Sequence, residues 1–395
     1  MSPLSLIFLA LFNSILGLSV LFPILGPLGR QLGLGELQVG SLTATYALAQ
    51  FLGSPYWGRK SEIIGRKPVI LRGILGFALT FLAFGLIARL GLSGTLTGTP
   101  LYLSLLASRL IGGLYSSATL PTAQAYVADV TERADRTSGM AMIGAAFGLA
   151  VVFGPAIGAT LAPFGLLVPV YLSSGIAFLN AIFVVFGLPE PKRHASRPET
   201  QGLMPIAAKV WPLLSIGLAT TLASVSMEQT VAFYYQDRLL LSPTGAARAV
   251  GYSLVVYGVV AVLVQGFFVR KVKWPPARLL RTGVPIAAAG LVLFIFARAL
   301  PVLIVAMALQ GLGQALAMPG VTAALSLSVA DQEQGAVAGL NSSAQALGRT
   351  LGPILGTGLY QIRPEYPYMA GAAFLVLVLG FLVFSPIRTA HESAP

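Results

Sequence analysis

Apolar residues dominate this chain in long runs, and the polar residues between those runs fall into short clusters. A helix that crosses a bilayer needs roughly 20 apolar residues. On that ruler the pattern predicts twelve spanning helices, over 4–28, 37–57, 68–90, 101–127, 138–161, 165–188, 210–236, 247–269, 278–298, 301–329, 336–361 and 366–385. The longest hydrophilic connection, 189–208 ("PEPKRHASRPETQGLMPIAA"), separates two sets of six. The expected architecture is an all-α polytopic membrane protein in two pseudo-symmetric halves. These are a six-helix bundle over 1–188, a cytoplasmic linker over 189–208 and a second six-helix bundle over 209–395.

An internal repeat supports the two halves. Gly154-Pro155-x-x-Gly158 in the fifth predicted span returns as Gly352-Pro353-x-x-Gly356 in the eleventh, 198 residues later. At the same offset Gly113-Leu114 matches Gly311-Leu312 and Pro121 matches Pro319. One such match is cheap in a glycine-rich chain, whereas several at one offset of half the length indicate duplication. Duplicated six-helix halves are a transporter architecture, with a substrate site expected between the halves near the midplane.

Composition narrows the class. Hydrophobic residues make up 56% of the chain and charged residues 10%, against about 25% charged in soluble domains. The net charge of +12 is distributed as membrane loops distribute it, in clusters between apolar runs, and implies no nucleic-acid partner. With the N-terminus inside, the cytoplasmic segments collect most of the basic residues, among them Arg59, Lys60, Arg66, Lys67, Lys192, Arg193, Arg270, Lys271 and Arg278. The positive-inside rule then places both termini in the cytoplasm of a cell with this protein in its plasma or inner membrane. No cysteine is present, which excludes disulfides, thiolate metal sites and cysteine nucleophiles. The two histidines, His194 and His391, lie in polar segments, so no metal site is expected. The N-terminal run has no basic leader before it and is expected to remain as a helix.

Four motifs carry further information. Between the second and third predicted spans stands Gly58-Arg-Lys-Ser-Glu62-Ile-Ile-Gly65-Arg66-Lys67. It resembles the G-x-x-x-D-x-x-G-R-R/K signature of the major facilitator superfamily, with Glu62 in place of the usual Asp. Arg109 followed by Gly112-Gly113 resembles that family's R-x-x-x-G arginine motif of proton-coupled members. Gly148, Gly154, Pro155 and Gly158 fill the G-x(5)-G-P-x-x-G signature of its drug:proton antiporter branch, in which small residues let helices cross closely. The resemblance covers the whole chain and implies the twelve-helix fold. It implies a conformational latch at Gly58, Glu62, Gly65, Arg66 and Lys67, and helices one, four, seven and ten around a central cavity. The latch motif is expected to use its glycines for a turn, and its carboxylate to meet basic residues or a helix N-terminus. Gly53-x-x-x-x-Gly58-Arg59-Lys60-Ser61 looks briefly like a P-loop, but the lysine is displaced and no strand precedes it. With no nucleotide motif, the energy source is expected to be a proton gradient and no cofactor is implied.

Within "SVSMEQTVAFYY" (224–235) sits Glu228, the sole ionisable group other than tyrosine between Val210 and Gln236. A carboxylate in hydrocarbon is costly unless protonated, paired or wet. Glu228 lies nine residues below Asp237 and Arg109 nine below Pro100, so both are expected about 13 Å deep from one side. Three roles remain open for Glu228: a proton carrier partnered by Arg109, a static pair with Arg109 or Arg349, or a counter-charge for substrate. Further cavity candidates are Asn13, Gln50, Ser224, Tyr235, Tyr257, Gln310, Gln314, Asn341, Gln345 and Arg349. Each of the amides, taken alone, is more often an interhelical hydrogen bond than a ligand contact. Phe233, Tyr234, Tyr235 and Tyr257, with Met227 and Met318, could form an adaptable apolar wall, or each could equally be a lipid-facing or packed side chain. The glycines and prolines at 352, 353 and 356 are expected to pack helices as their counterparts do.

The expected function is proton-coupled export of amphipathic, drug-like compounds by alternating access, performed by a monomer in contact with lipid. The first span carries no acid, only Asn13, so the predicted interior holds two arginines against one glutamate. That balance supports an alternative, transport or flipping of an anionic metabolite or lipid. The reading from another class is an intramembrane enzyme or a non-transporting sensor. Chemistry argues against the enzyme, because no His or Asp lies within the predicted spans and one Glu cannot serve as both nucleophile and base. A sensor would bind ligand without moving it.

Overall fold

The computed structural model describes residues 3–131, 136–191, 203–272, 274–330 and 333–384. His194, His391 and most of the 189–208 connection lie outside the described residues. The described residues are helical, in chain order α1 (Pro3–Ser19), α2 (Leu25–Gln31), α3 (Glu36–Ile64), α4 (Arg66–Leu92), α5 (Gly98–Ser116), α6 (Thr119–Val130), α7 (Arg136–Leu161) and α8 (Val168–Gly187). There follow α9 (Leu203–Leu239), α10 (Pro243–Leu263), α11 (Arg270–Val272), α12 (Pro276–Phe296), α13 (Leu300–Leu327), α14 (Gln334–Ile362) and α15 (Tyr366–Phe384). A π-helical segment, Val264–Val269, joins α10 to α11. Helices are the natural solution for apolar runs of this length, because each closes its own backbone hydrogen bonds where no water can.

Seven of the described helices are each long and apolar enough to cross a membrane. The other predicted spans are broken, shorter or more polar, and the reasons are local. The first, expected as one helix over 4–28, stops at Ser19 and resumes at Leu25. Pro23 has no N–H to continue the ladder, and the chain crosses the gap on tight turns from Leu21 to Leu18 and from Phe22 to Ser19. The fourth, expected over 101–127, divides into α5 and α6 at Ser117 and Ala118, just ahead of Pro121. Proline tolerates the first turn of a helix and resists its interior, so the break falls where it does. The seventh is longer than expected: α9 runs unbroken for 37 residues.

Contacts divide the chain into two compact units, Met1–Ser196 with Tyr235–Tyr252, and Arg197–Tyr234 with Ser253–Pro395. In the first, Phe77, Phe81 and Phe84 stack along α4 and are buried. Ser174 of α8 donates to the Ala78 carbonyl of α4 at 2.8 Å, and Ser19 of α1 to the Ala150 carbonyl of α7 at 2.8 Å. In the second, Tyr234, Phe294 and Tyr368 form a buried aromatic cluster, and the Tyr234 hydroxyl donates to the Phe294 carbonyl at 2.7 Å. Lipid tails give helices no hydrophobic reason to associate, so close packing and hydrogen bonds of this kind hold each unit together.

The glycines of the repeat perform matching tasks in the two units. Gly154 and Gly158 of α7 lie against Ser19, Val20 and Pro23, where the first span breaks, and a Cβ at 158 would stand 2.8 Å from the Val20 carbonyl oxygen. Gly352 and Gly356 of α14 lie against Val225 and Ser226 of α9, and a Cβ at 356 would stand 2.8 Å from the Ser226 carbonyl oxygen. Gly113 of α5 abuts the Tyr46 carbonyl of α3, and Gly311 of α13 abuts the Tyr257 carbonyl of α10. Pairs that matched in sequence at one offset therefore also match in what they touch.

Candidate functional site

In the second unit, α9 carries Glu228, half-buried on an otherwise largely buried stretch of helix. One turn earlier, Ser224 donates a hydrogen bond to its carboxylate oxygen at 3.0 Å. Tyr257 of α10 stands beside Ser224 and within electrostatic reach of the carboxylate, as does Arg349 of α14. Arg349 instead donates to Gln345, one turn away on its own helix, at 2.9 Å. Among the described residues no ion pair closes on Glu228. Arg349 is exposed in the middle of α14. A guanidinium there needs water or an anion rather than hydrocarbon.

Tyr257 and Arg349 owe their positions to glycine. Gly311 lets α13 press on the backbone at Tyr257, while Gly348, next to Arg349, brings α14 against Thr221 of α9. A Cβ at 348 would stand 2.9 Å from the Thr221 Cβ. The carboxylate, hydroxyls and guanidinium are thereby drawn from three helices to one place.

In the first unit, Arg109 of α5 is 3% exposed. Its guanidinium carbon lies 4.2 Å from the centre of the Tyr46 ring and 5.8 Å from that of Phe84. Its Nε and Nη2 have no hydrogen-bond partner among the described residues, and neither does the Tyr46 hydroxyl. A desolvated cation–π contact is worth about 2 kcal/mol, well short of what burying a cation costs. Arg109 therefore retains charge and donors that its own unit does not satisfy.

The remaining predicted cavity residues separate into two groups. Gln310 donates to the Ala287 carbonyl at 2.5 Å and Gln314 to the Thr220 carbonyl at 3.0 Å, so each ties helices together. Tyr235, with Phe233 and Tyr234, is fully buried, while Met227 is 1% exposed, which makes this stretch of α9 packed core rather than an adaptable wall. Asn13 and Asn341 are both 8% exposed, and the Asn341 Oδ1 has no partner among the described residues. Gln50 makes one long contact, 3.4 Å to Ser116. Gly148, the first glycine of its motif, is half-buried on α7.

The Gly58–Lys67 motif is built differently from its sequence expectation. Gly58 and Glu62 lie inside α3, and the turn rests on Gly65 alone, at φ +105°. That conformation suits glycine, and a side chain there would also strike the Glu190 carboxylate. Glu190, from the segment after α8, accepts from the backbone N–H of Arg66 at 2.5 Å and of Lys67 at 2.9 Å, closing the N-terminus of α4. Arg66 pairs with Asp129 of α6 at 2.9 Å and also donates to Ser61 at 2.6 Å. Lys67 donates to the Val185 carbonyl at 2.7 Å. The carboxylates that meet the helix end and the arginine are thus Glu190 and Asp129, while Glu62 is exposed and makes no hydrogen bond or ion pair among the described residues. Neither acid was singled out from sequence, because each lies more than 60 residues from the motif.

A second ionic cluster was also missed. Arg30 of α2 meets Asp237 through two bonds of 2.5 and 2.8 Å, Glu36 at 2.9 Å and Gln236 at 3.3 Å. All four residues belong to the first unit, which takes in 235–252. Arg30 and Asp237 read in sequence as ordinary loop charges 207 residues apart.

Comparison with known proteins gives the family and agrees with the fold. The family model described as Major Facilitator Superfamily matches residues 7–300 and 272–395. The chain is 30% identical over 383 residues to multidrug resistance protein 2 of Bacillus subtilis (strain 168), covering 94% of this chain and 92% of that protein. It is 29% identical over 391 residues to the class C tetracycline resistance protein of Escherichia coli, with 92% of each chain covered. Among solved structures, a bacterial homolog of the human lysosomal transporter Spinster, in an inward-facing and occupied conformation, superposes with a TM-score of 0.78. There the identity is 15%, with 98% of this chain and 97% of the other covered.

Proposed function

The chain belongs to the major facilitator superfamily and is a secondary transporter, and from that premise we propose that it exports amphipathic, drug-like compounds across the cell membrane in exchange for protons. The observation that carries this reading is Glu228, a carboxylate in an apolar helix with a hydroxyl donor at 3.0 Å and no ion-pair partner among the described residues. A carboxylate locked in an ion pair resists protonation, whereas one held by a neutral hydroxyl can gain and lose a proton as water reaches it. Desolvation favours the neutral acid and an approaching cation favours release, so an alternating-access cycle that changes the surroundings of Glu228 would move protons. Arg109, with donors unsatisfied in its own unit, is the second coupling residue in this reading. The resistance proteins among its relatives support an amphipathic substrate.

The Gly58–Lys67 segment serves as the conformational latch, with Asp129 and Glu190 as its working carboxylates. Both termini face the cytoplasm, an orientation supported by the basic residues of the α3–α4 turn and of 270–281.

The test is a proteoliposome loaded with a pH-sensitive dye, in which added substrate should change the luminal pH. Glu228→Gln is expected to remove the pH change while leaving substrate binding within a few-fold of the unaltered protein. Retained proton movement in that variant would sink the assignment of Glu228.

A second reading, transport of an anionic compound, draws on a different observation. Arg109 is buried without a carboxylate partner among the described residues, and Arg349 is exposed mid-helix with a neutral hydrogen-bond partner, Gln345. Competition in the same vesicles between cationic dyes and organic anions separates the two readings.

A further inference from the structure

A groove of 560 Å³ runs along the outside of the second unit, where the π-helical segment Val264–Val269 passes α12 and α13. Its walls are apolar: Leu263, Phe267 and Phe268 on one side, Ile286, Leu312 and Leu316 on the other. Phe267 is 70% exposed. In a π-helical turn the extra residue shifts the facing of the side chains that follow, and here two phenylalanines project into the groove rather than onto a neighbouring helix.

One end of the groove changes character. Lys271 and Trp274 line it there, and Arg278 lies over the Trp274 ring at 4.3 Å. Phe268 meets the same ring edge-on at 5.0 Å, so the aromatic pair joins the apolar wall to the cationic rim. Lys271 is exposed and makes no hydrogen bond or ion pair among the described residues. Arg278 is exposed too, and stacking on an indole face leaves its N–H groups free to donate. Tryptophan and basic residues at a span's end mark the depth of lipid headgroups.

We propose that this groove is a binding site for an anionic glycerophospholipid, with one acyl chain against Phe267 and Phe268 and the headgroup phosphate between Lys271 and Arg278. The complementarity is of shape along the groove and of charge at its rim. A zwitterionic lipid fills the same apolar space but brings a cationic group toward two fixed cations. Basic pockets between spanning helices select anionic headgroups on this principle, and each cation near the surface contributes about a fivefold preference.

The experiment uses Trp274 as its own reporter. The chain has three tryptophans, and Trp57→Phe with Trp211→Phe leaves Trp274 alone. This variant, reconstituted in phosphatidylcholine, is titrated with phosphatidylglycerol or phosphatidylcholine brominated on the acyl chains. Brominated phosphatidylglycerol is expected to quench Trp274 at a severalfold lower mole fraction. Adding Lys271→Ala and Arg278→Ala should abolish that preference and leave quenching by brominated phosphatidylcholine in place. Equal quenching by the two lipids before those changes, or a preference that survives them, overturns the proposal. Native mass spectrometry of the chain with all its tryptophans gives an independent reading. Co-purified phosphatidylglycerol should be retained by the unaltered chain and lost from Lys271→Ala/Arg278→Ala, and equal retention by both also overturns it.

Discussion

Two tyrosines stand beside the charges proposed for proton coupling, and each has a glycine of the neighbouring helix against its carbonyl. Tyr46 presents its ring to Arg109, with Gly113 against its carbonyl; Tyr257 stands near Glu228, with Gly311 against its carbonyl. If the ring of Tyr46 is what restrains Arg109, Tyr46→Phe should keep most of the transport rate. Tyr46→Leu, which removes a contact of about 2 kcal/mol, should lower it at least tenfold. Initial rates in proteoliposomes at matched protein content decide this, and equal rates for the two variants would show that the ring does not matter. The amides make a contrasting case. Gln310 and Gln314 each give their N–H to a backbone carbonyl of another helix, and such bonds within membranes average about 0.6 kcal/mol. Gln310→Leu and Gln314→Leu are therefore expected to reduce thermal stability slightly and to leave the order of substrate preference unchanged. A reordered preference in a panel of dyes would return them to the substrate site.

Helix contacts in each unit rest on the absence of side chains at a few positions. Gly154 faces Ser19 and Gly356 faces Ser226 too closely for any Cβ, so Gly154→Val and Gly356→Val must push their helices apart. Overpacking of this kind costs about 1–3 kcal/mol. Both variants should show a lower midpoint of thermal unfolding in detergent, whereas valine at Gly144, where nothing lies within 4 Å, should not. At the end of α4 the determinant is a charge. Glu190 closes two backbone N–H groups and places a carboxylate at a helix N-terminus, an arrangement worth about 1 kcal/mol. Glu190→Ala is expected to be destabilising and Glu62→Ala to be neutral, measured by the same melting assay. The reverse order would restore Glu62 as the carboxylate that the motif uses.

At the scale of the whole molecule, contacts group the chain into two compact units whose main boundary, at 196/197, falls within the longest polar connection. The first compact unit also takes in Tyr235–Tyr252, and there Asp237 accepts two hydrogen bonds from Arg30. Half-exposed ion pairs of this kind contribute about 1 kcal/mol or less to stability, so their value lies in where they fix the chain. Orientation is a separate property and has its own test. The chain has no cysteine, so single cysteines can be introduced without background. Gly94→Cys, on the α4–α5 connection, should react with an impermeant maleimide added to intact cells, and Lys60→Cys should react only after lysis. Labelling in the opposite order would invert the proposed topology.

The amino-acid sequence determined what depends on composition and spacing. A membrane class, an all-helical fold, duplication into halves, the family signatures and one anomalous carboxylate all follow from residues close together or repeated at a fixed offset. Tertiary structure alone decided which groups meet. Pro23 and Pro121 were visible, but that spans one and four would actually break there depended on neighbours able to receive the turns, among them Gly154 and Gly158 at the first break. Gly65, Arg66 and Lys67 were recognised, yet the carboxylates they bind come from Asp129 and Glu190, on other elements. The ring under Arg109 and the groove beside Phe267 likewise needed the fold to appear. The physical reason is common to all of them. Hydrophobic patterning is a property of single elements, whereas an ion pair, a cation–π contact or a groove is made by residues that only packing brings within a few ångströms.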